Sequence, residues 1–122
     1  MTQEEKDLLL KDLCGRLPYK VCAQIPDEYG GYTSVIESID IDGFVKDFEG
    51  VLIEIEYIKP YLFPLSSMSD EQREEWYQYC FENENKTIGT NVDFLNKKHF
   101  DYRELIPMGL AIDATGLNIY WI

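Results

Sequence analysis

The sequence predicts an α+β domain: a small antiparallel sheet of about four to five strands packed with an N-terminal helix and two further helices. Three observations predict it. Apolar residues recur at helical spacing before Pro18, and a second helical segment follows Ser69. Apolar and polar residues alternate along the stretch ending at Tyr57. The boundaries between these stretches carry capping residues, prolines and glycines. At 122 residues, 45% hydrophobic and 14% aromatic, the chain can bury a core without disulfides or a structural metal, so residues 1–122 read as one domain.

Each element follows from local chemistry. Thr2 and Glu5 form a capping box, and Leu9, Leu10, Leu13, Cys14 and Leu17 continue the first helix to the stop at Pro18. Tyr19 to Ile25 reads as a short strand closed by Pro26-Asp27-Glu28-Tyr29-Gly30-Gly31, and Thr33 to Ile41 as a second. In a third, Val51, Ile53, Ile55 and Tyr57 share one face, with Glu54 and Glu56 on the other. Asp42-Gly43 and Glu49-Gly50 offer turns between them, making Thr33 to Tyr57 a hairpin or meander. Ile58 to Met68, stiffened by Pro60 and Pro64, is expected to be an extended connector. Ser69 and Gln72 then cap a helix from about Asp70 to Glu82. Thr90 or Asn91 is expected to cap a third helix through Val92, Leu95 and His99, with a short turn from Asp101 to Pro107 and Gly109. Leu110 to Ala114 and Leu117 to Trp121 read as a final hairpin turning at Thr115-Gly116.

Charge narrows the function classes. With 23 acidic and 11 basic residues, the formal net charge of -12 repels phosphate backbones, which argues against direct nucleic-acid or anionic-membrane binding. It suits a basic protein partner or mimicry of DNA. Cys14, Cys22 and Cys80 lack metal or redox spacing and read as free thiols. The charged N-terminus lacks the apolar core of a signal peptide, so a cytoplasmic location is expected and Asn85-Lys86-Thr87 carries no weight as a glycosylation site.

Ser38-x-Asp40-x-Asp42-Gly43 followed by Glu49 has the spacing of a calcium loop, with Val45 at the eighth place. Ser38 in place of an aspartate, Lys46 at the ninth place, and flanking strands instead of helices favour a solvated acidic turn. The same carboxylates, with Asp47, make an equally thin case for a magnesium centre. His99, the single histidine, has no nucleophile at a telling spacing among Cys14, Cys22, Cys80 and Ser67, and reads as a helix-end residue. Lys97, Lys98 and Arg103 are too few for a nucleic-acid footprint. No cofactor motif is present. On the second helix, Trp76, Tyr77, Tyr79 and Phe81 point around most of the circumference, either packing on the sheet or forming an interface.

Three blocks carry a family resemblance. They are Glu4-Glu5-Lys6-Asp7-Leu8-Leu9-Leu10-Lys11-Asp12-Leu13-Cys14-Gly15-Arg16-Leu17-Pro18-Tyr19, the Lys59-Pro60-Tyr61-Leu62 connector on to Met68, and Phe94-Leu95-Asn96-Lys97-Lys98-His99-Phe100-Asp101-Tyr102-Arg103. Together they resemble uncharacterised small acidic proteins encoded by phages, prophages and mobile elements of gut anaerobic bacteria. In the commoner form of that family an arginine stands at Phe63, and Thr-Glu-Glu replaces Ser69-Asp70-Glu71; the first difference loses a cation. The resemblance carries over no catalytic residue. It implies a non-enzymatic accessory protein that binds a host or phage protein, blocking of a defence system being one use of such binding. The expected contact surface joins Lys59, Tyr61 and Phe63 to Trp76, Tyr77 and Tyr79, and would serve a second copy of the chain equally well. The alternatives are an acidic DNA mimic and a small metal-binding module or enzyme on Asp40, Asp42 and Glu49.

Overall fold

The computed structural model describes residues 1–40, 42–82 and 90–120, and the fold is α+β. Among the described residues three helices, α1 (Gln3–Arg16), α2 (Asp70–Glu82) and α3 (Thr90–Lys97), accompany a mixed sheet. Its strands are β1 (Cys22–Gln24), β2 (Thr33–Ile39), β3 (Phe44–Asp47), β4 (Leu52–Glu54), β5 (Lys59–Pro64), β6 (Phe100–Asp101) and β7 (Ile112–Asp113). The order is β4-β3-β2-β1-β5-β6, with β7 also paired to β5. The sheet is somewhat larger than expected, because the meander contains β3 and the C-terminal part contributes two short parallel strands.

The capping box of α1 is formed in both directions: the Thr2 hydroxyl accepts from the Glu5 amide at 3.1 Å, and the Thr2 amide donates to the Glu5 carboxylate at 3.0 Å. Leu9 and Leu13 are fully buried among Ala23, Ile36, Val45, Ile53 and Leu62. Pro18 starts a 3-10 turn, Leu17–Tyr19, instead of a strand, so β1 is shorter than expected. In β4, Ile53 is buried, but the chain leaves the sheet at Ile55 in another 3-10 turn, leaving Tyr57 48% exposed and off the expected inward face. Ile41 lies outside the described residues.

Two expectations are corrected. The proline segment is not a connector but β5, which pairs with β1, β6 and β7. Proline ordinarily argues against an interior strand because it cannot donate to the ladder. Here the Phe63 amide donates to the His99 carbonyl at 2.8 Å and the Ala114 amide to the Leu62 carbonyl at 2.8 Å, bonds that bypass Pro60 and Pro64. The C-terminal hairpin does not form either. Only Ile112–Asp113 is a strand, parallel to Tyr61 and Leu62, while Leu117 and the residues to 120 carry none; Trp121 lies outside the described residues.

The Ser69 and Gln72 capping box is present, at 3.1 and 2.8 Å. Helix α3 begins at Thr90, with the Thr90 and Asn91 side chains outside the described residues, and ends at Lys97. His99 therefore lies beyond it, at φ 64. Met68, Phe94, Leu95 and Phe100 make a second cluster between α2, α3 and β6.

Candidate functional site

The six residues of the expected surface do not form one exposed face. Lys59 opens β5 and is exposed, whereas Tyr61 is only 7% exposed, with its carbonyl accepting from the Tyr120 hydroxyl at 2.7 Å. Phe63, Trp76 and Tyr79 meet, but against the second cluster: Phe63 lies 6.2 Å from Phe100, and Tyr79 5.6 Å from Phe94, ring to ring. Tyr77, 65% exposed, is stacked on Trp76 at 6.0 Å. Lys59 and Tyr77 are thus the parts that face outward.

The Ser38, Asp40, Asp42 and Glu49 set is split by the fold. Asp40 and Asp42 lie in the turn before β3 and Glu49 in the turn after it, so a strand of about 13 Å separates them, whereas a calcium loop folds its ligands around one ion. The Asp40 carboxylate accepts from the amides of Asp42 and Phe44 at 2.9 and 3.0 Å. Asp47 is buried and accepts from the amides of Glu49 and Val51 and from the Tyr32 hydroxyl, a bond that holds the Tyr32 pKa up at about 12. Part of the acidity is therefore structural, used to staple turns. Among the described residues no group of three His, Cys, Asp or Glu is placed to hold a metal ion.

The β3–β4 hairpin presents an apolar face that sequence patterning did not single out. Val45 and Ile53 point inward, so Phe44 and Leu52, one residue away on their strands, point outward beside Lys46 and Glu54. Phe48 sits in the Asp47-Phe48-Glu49-Gly50 turn and is 76% exposed; Leu52 is 58% exposed. A signal was available, because an aromatic side chain inside a two-residue turn has no core to reach.

Around Arg16 the interior is polar. Arg16 continues the Leu9 and Leu13 stripe of α1 and is fully buried, bound to Asp12 through Nε at 2.7 Å and Nη2 at 3.1 Å. Its Nη2 also donates to the Phe100 carbonyl at 2.7 Å. Arg103 reaches Asp12 at 3.4 Å, and the Tyr102 ring lies against both guanidiniums, at 5.1 and 4.7 Å. The Tyr102 hydroxyl donates to Asn96 at 2.9 Å, and Gly15 leaves room for that asparagine, since a Cβ there would stand 3.2 Å from its Nδ2. Next to this network, His99 stacks on Tyr120 at 3.7 Å, and burial together with the Arg16 charge lowers its pKa to about 4.

His99 shares a cavity with Cys22, one of the thiols considered as a nucleophile partner. Burial pushes the Cys22 thiol above its ordinary pKa, so at neutral pH it is a thiol beside a weakly basic imidazole. Among the described residues no helix is long and apolar enough to cross a membrane. Comparison with protein-family models, curated proteins and solved structures finds no match.

Proposed function

We propose that this is a non-enzymatic accessory protein of a phage or mobile element that works by binding another protein through the outer face of the β3–β4 hairpin. The observation that carries the reading is the exposure of Phe48 and Leu52 on the same side as Phe44. Clustered exposed apolar side chains disfavour the free state and favour a complex. Asp42, Glu49 and Glu54 flank them on a chain of formal charge -12, which matches a partner with a basic rim around an apolar pocket and speeds its encounter. The family resemblance supports a host or phage protein as that partner, a component of a defence system among them.

The test is recovery of tagged protein from its host bacterium, wild type beside a Phe48→Ala, Leu52→Ala double variant. A near-stoichiometric partner held by the wild type and lost by a variant of unchanged melting temperature supports the reading. A partner held equally by both removes the hairpin from it. A partner displaced by duplex DNA would mean DNA mimicry instead, and recovery of a dimer alone would mean self-association.

A further inference from the structure

The cavity at the polar end is lined by Tyr19, Lys20, Cys22, Val35, Lys97, Lys98, His99, Ile119 and Tyr120 and holds about 380 Å³, within the range of small-molecule sites. Three lysines converge on it in a chain with twice as many acidic as basic residues. We propose that this cavity binds a small organic phosphate, its phosphate held by Lys20, Lys97 and Lys98 and its apolar body against Tyr19, Val35 and Ile119.

Four observations support this. Lys97 ends α3 and Lys98 follows it, where cations are ordinarily favoured by the helix dipole, but that does not account for Lys20, which lines the cavity from just after the Leu17–Tyr19 turn. Lys20 and His99 are both held at positive φ, 57 and 64, and both line the wall. His99, 9% exposed, is stacked on Tyr120, which gives the cavity wall two fixed rings. Finally, beside the wall Arg16 and Arg103 share the one carboxylate of Asp12, which leaves a net positive charge there.

The opposing charges are Glu75, 4.0 Å from Lys98 and itself 56% exposed, and Asp93 in the first turn of α3. The Glu75 contact is at the limit of an ion pair and yields to a dianion. The acidic surface elsewhere is screened beyond about 8 Å at physiological ionic strength, so a compact ligand is admitted while an extended polyanion meets the full field. That selects a small phosphate over nucleic acid.

The single histidine makes the test direct, because its imidazole proton resonances report on this cavity alone. The protein is titrated with inorganic phosphate, then with adenosine 5′-monophosphate, at constant ionic strength, with sodium chloride as reference. The expected result is a saturable shift of the His99 resonance, tighter for the organic phosphate. Lys97→Ala and Lys20→Asn, the latter chosen because asparagine tolerates positive φ, should each weaken binding about tenfold, while Lys59→Ala leaves it unchanged. Lys98→Ala, on a half-buried surface position, provides an independent check should Lys20→Asn disturb the turn. A shift that stays linear, matches that of chloride, or survives the lysine substitutions would overturn the proposal, as would equal binding of inorganic phosphate and the nucleotide for its apolar half.

Discussion

The β2–β4 meander and the end where α1, α3 and β6 meet are closed by different forces. In the meander, Ile36, Val45 and Ile53 bury an apolar inner face, and Asp40 and Asp47 staple the turns within a few residues of themselves. At the other end the closing bonds are long in sequence: Arg16 reaches the Phe100 carbonyl across 84 residues, and the Tyr120 hydroxyl accepts from the Cys22 amide across 98. The difference teaches where each end is vulnerable. An apolar local unit loses stability in proportion to the surface it exposes, whereas a buried charge that loses its partner is left uncompensated.

The largest expected effect is at Arg16. Replacing it with alanine leaves buried Asp12 with only the longer Arg103 contact and the Phe100 carbonyl without its donor, and should cost about 3–5 kcal/mol in urea unfolding, against about 0.5 kcal/mol or less for exposed Lys11→Ala on the same helix. A loss under about 1 kcal/mol at Arg16 would mean that the network does not close that end.

The His99 effect should be next, and it depends on pH. Its pKa of about 4 in the folded state lies below the ordinary 6.5, so folding favours the neutral imidazole. Above pH 6.5 both states are neutral and no stability is lost. As pH falls from 6.5 to 4 the unfolded chain takes up a proton that the folded chain refuses, and stability drops by roughly 3 kcal/mol. His99→Asn lacks this loss, so the stability difference between variant and wild type should move in the variant's favour by that amount between pH 7 and 4. A constant difference would place the imidazole in water.

At the meander, Asp47→Ala leaves two amides and the Tyr32 hydroxyl without their acceptor, with an expected cost of about 1–3 kcal/mol. The smallest effect should be Tyr77→Ala, within about 0.5 kcal/mol of wild type, since the ring is largely exposed. A larger loss would show α2 depending on its outer face.

How much of this was legible follows the same division. The capping residues Thr2 and Ser69 and the meander turns at Gly43 and Gly50 announce themselves locally, because hydrogen bonds across three or four residues leave a pattern in the sequence. β5 was hidden by Pro60 and Pro64, whose missing donors the ladder happens not to need. Asp12 and Arg16, four apart and next to Leu9 and Leu13 on the buried side of α1, did carry a signal, but charged residues at such spacing are usually on the surface. Of the expected surface, Tyr61 went inside because its segment became a strand. Tyr120 and the lysine-lined cavity depend on contacts between distant segments, and no local pattern encodes them.

Native-state amide exchange on Arg16→Met tests most directly whether the two ends are closed independently, since it reads local opening residue by residue. The account predicts that the amides of Phe63 and Leu105, bonded to His99 and Asp101, lose protection while those of Ile36 and Asp47, bonded to Val21 and Val51, keep theirs. Equal loss at all four would contradict it, showing one closure shared by the whole fold.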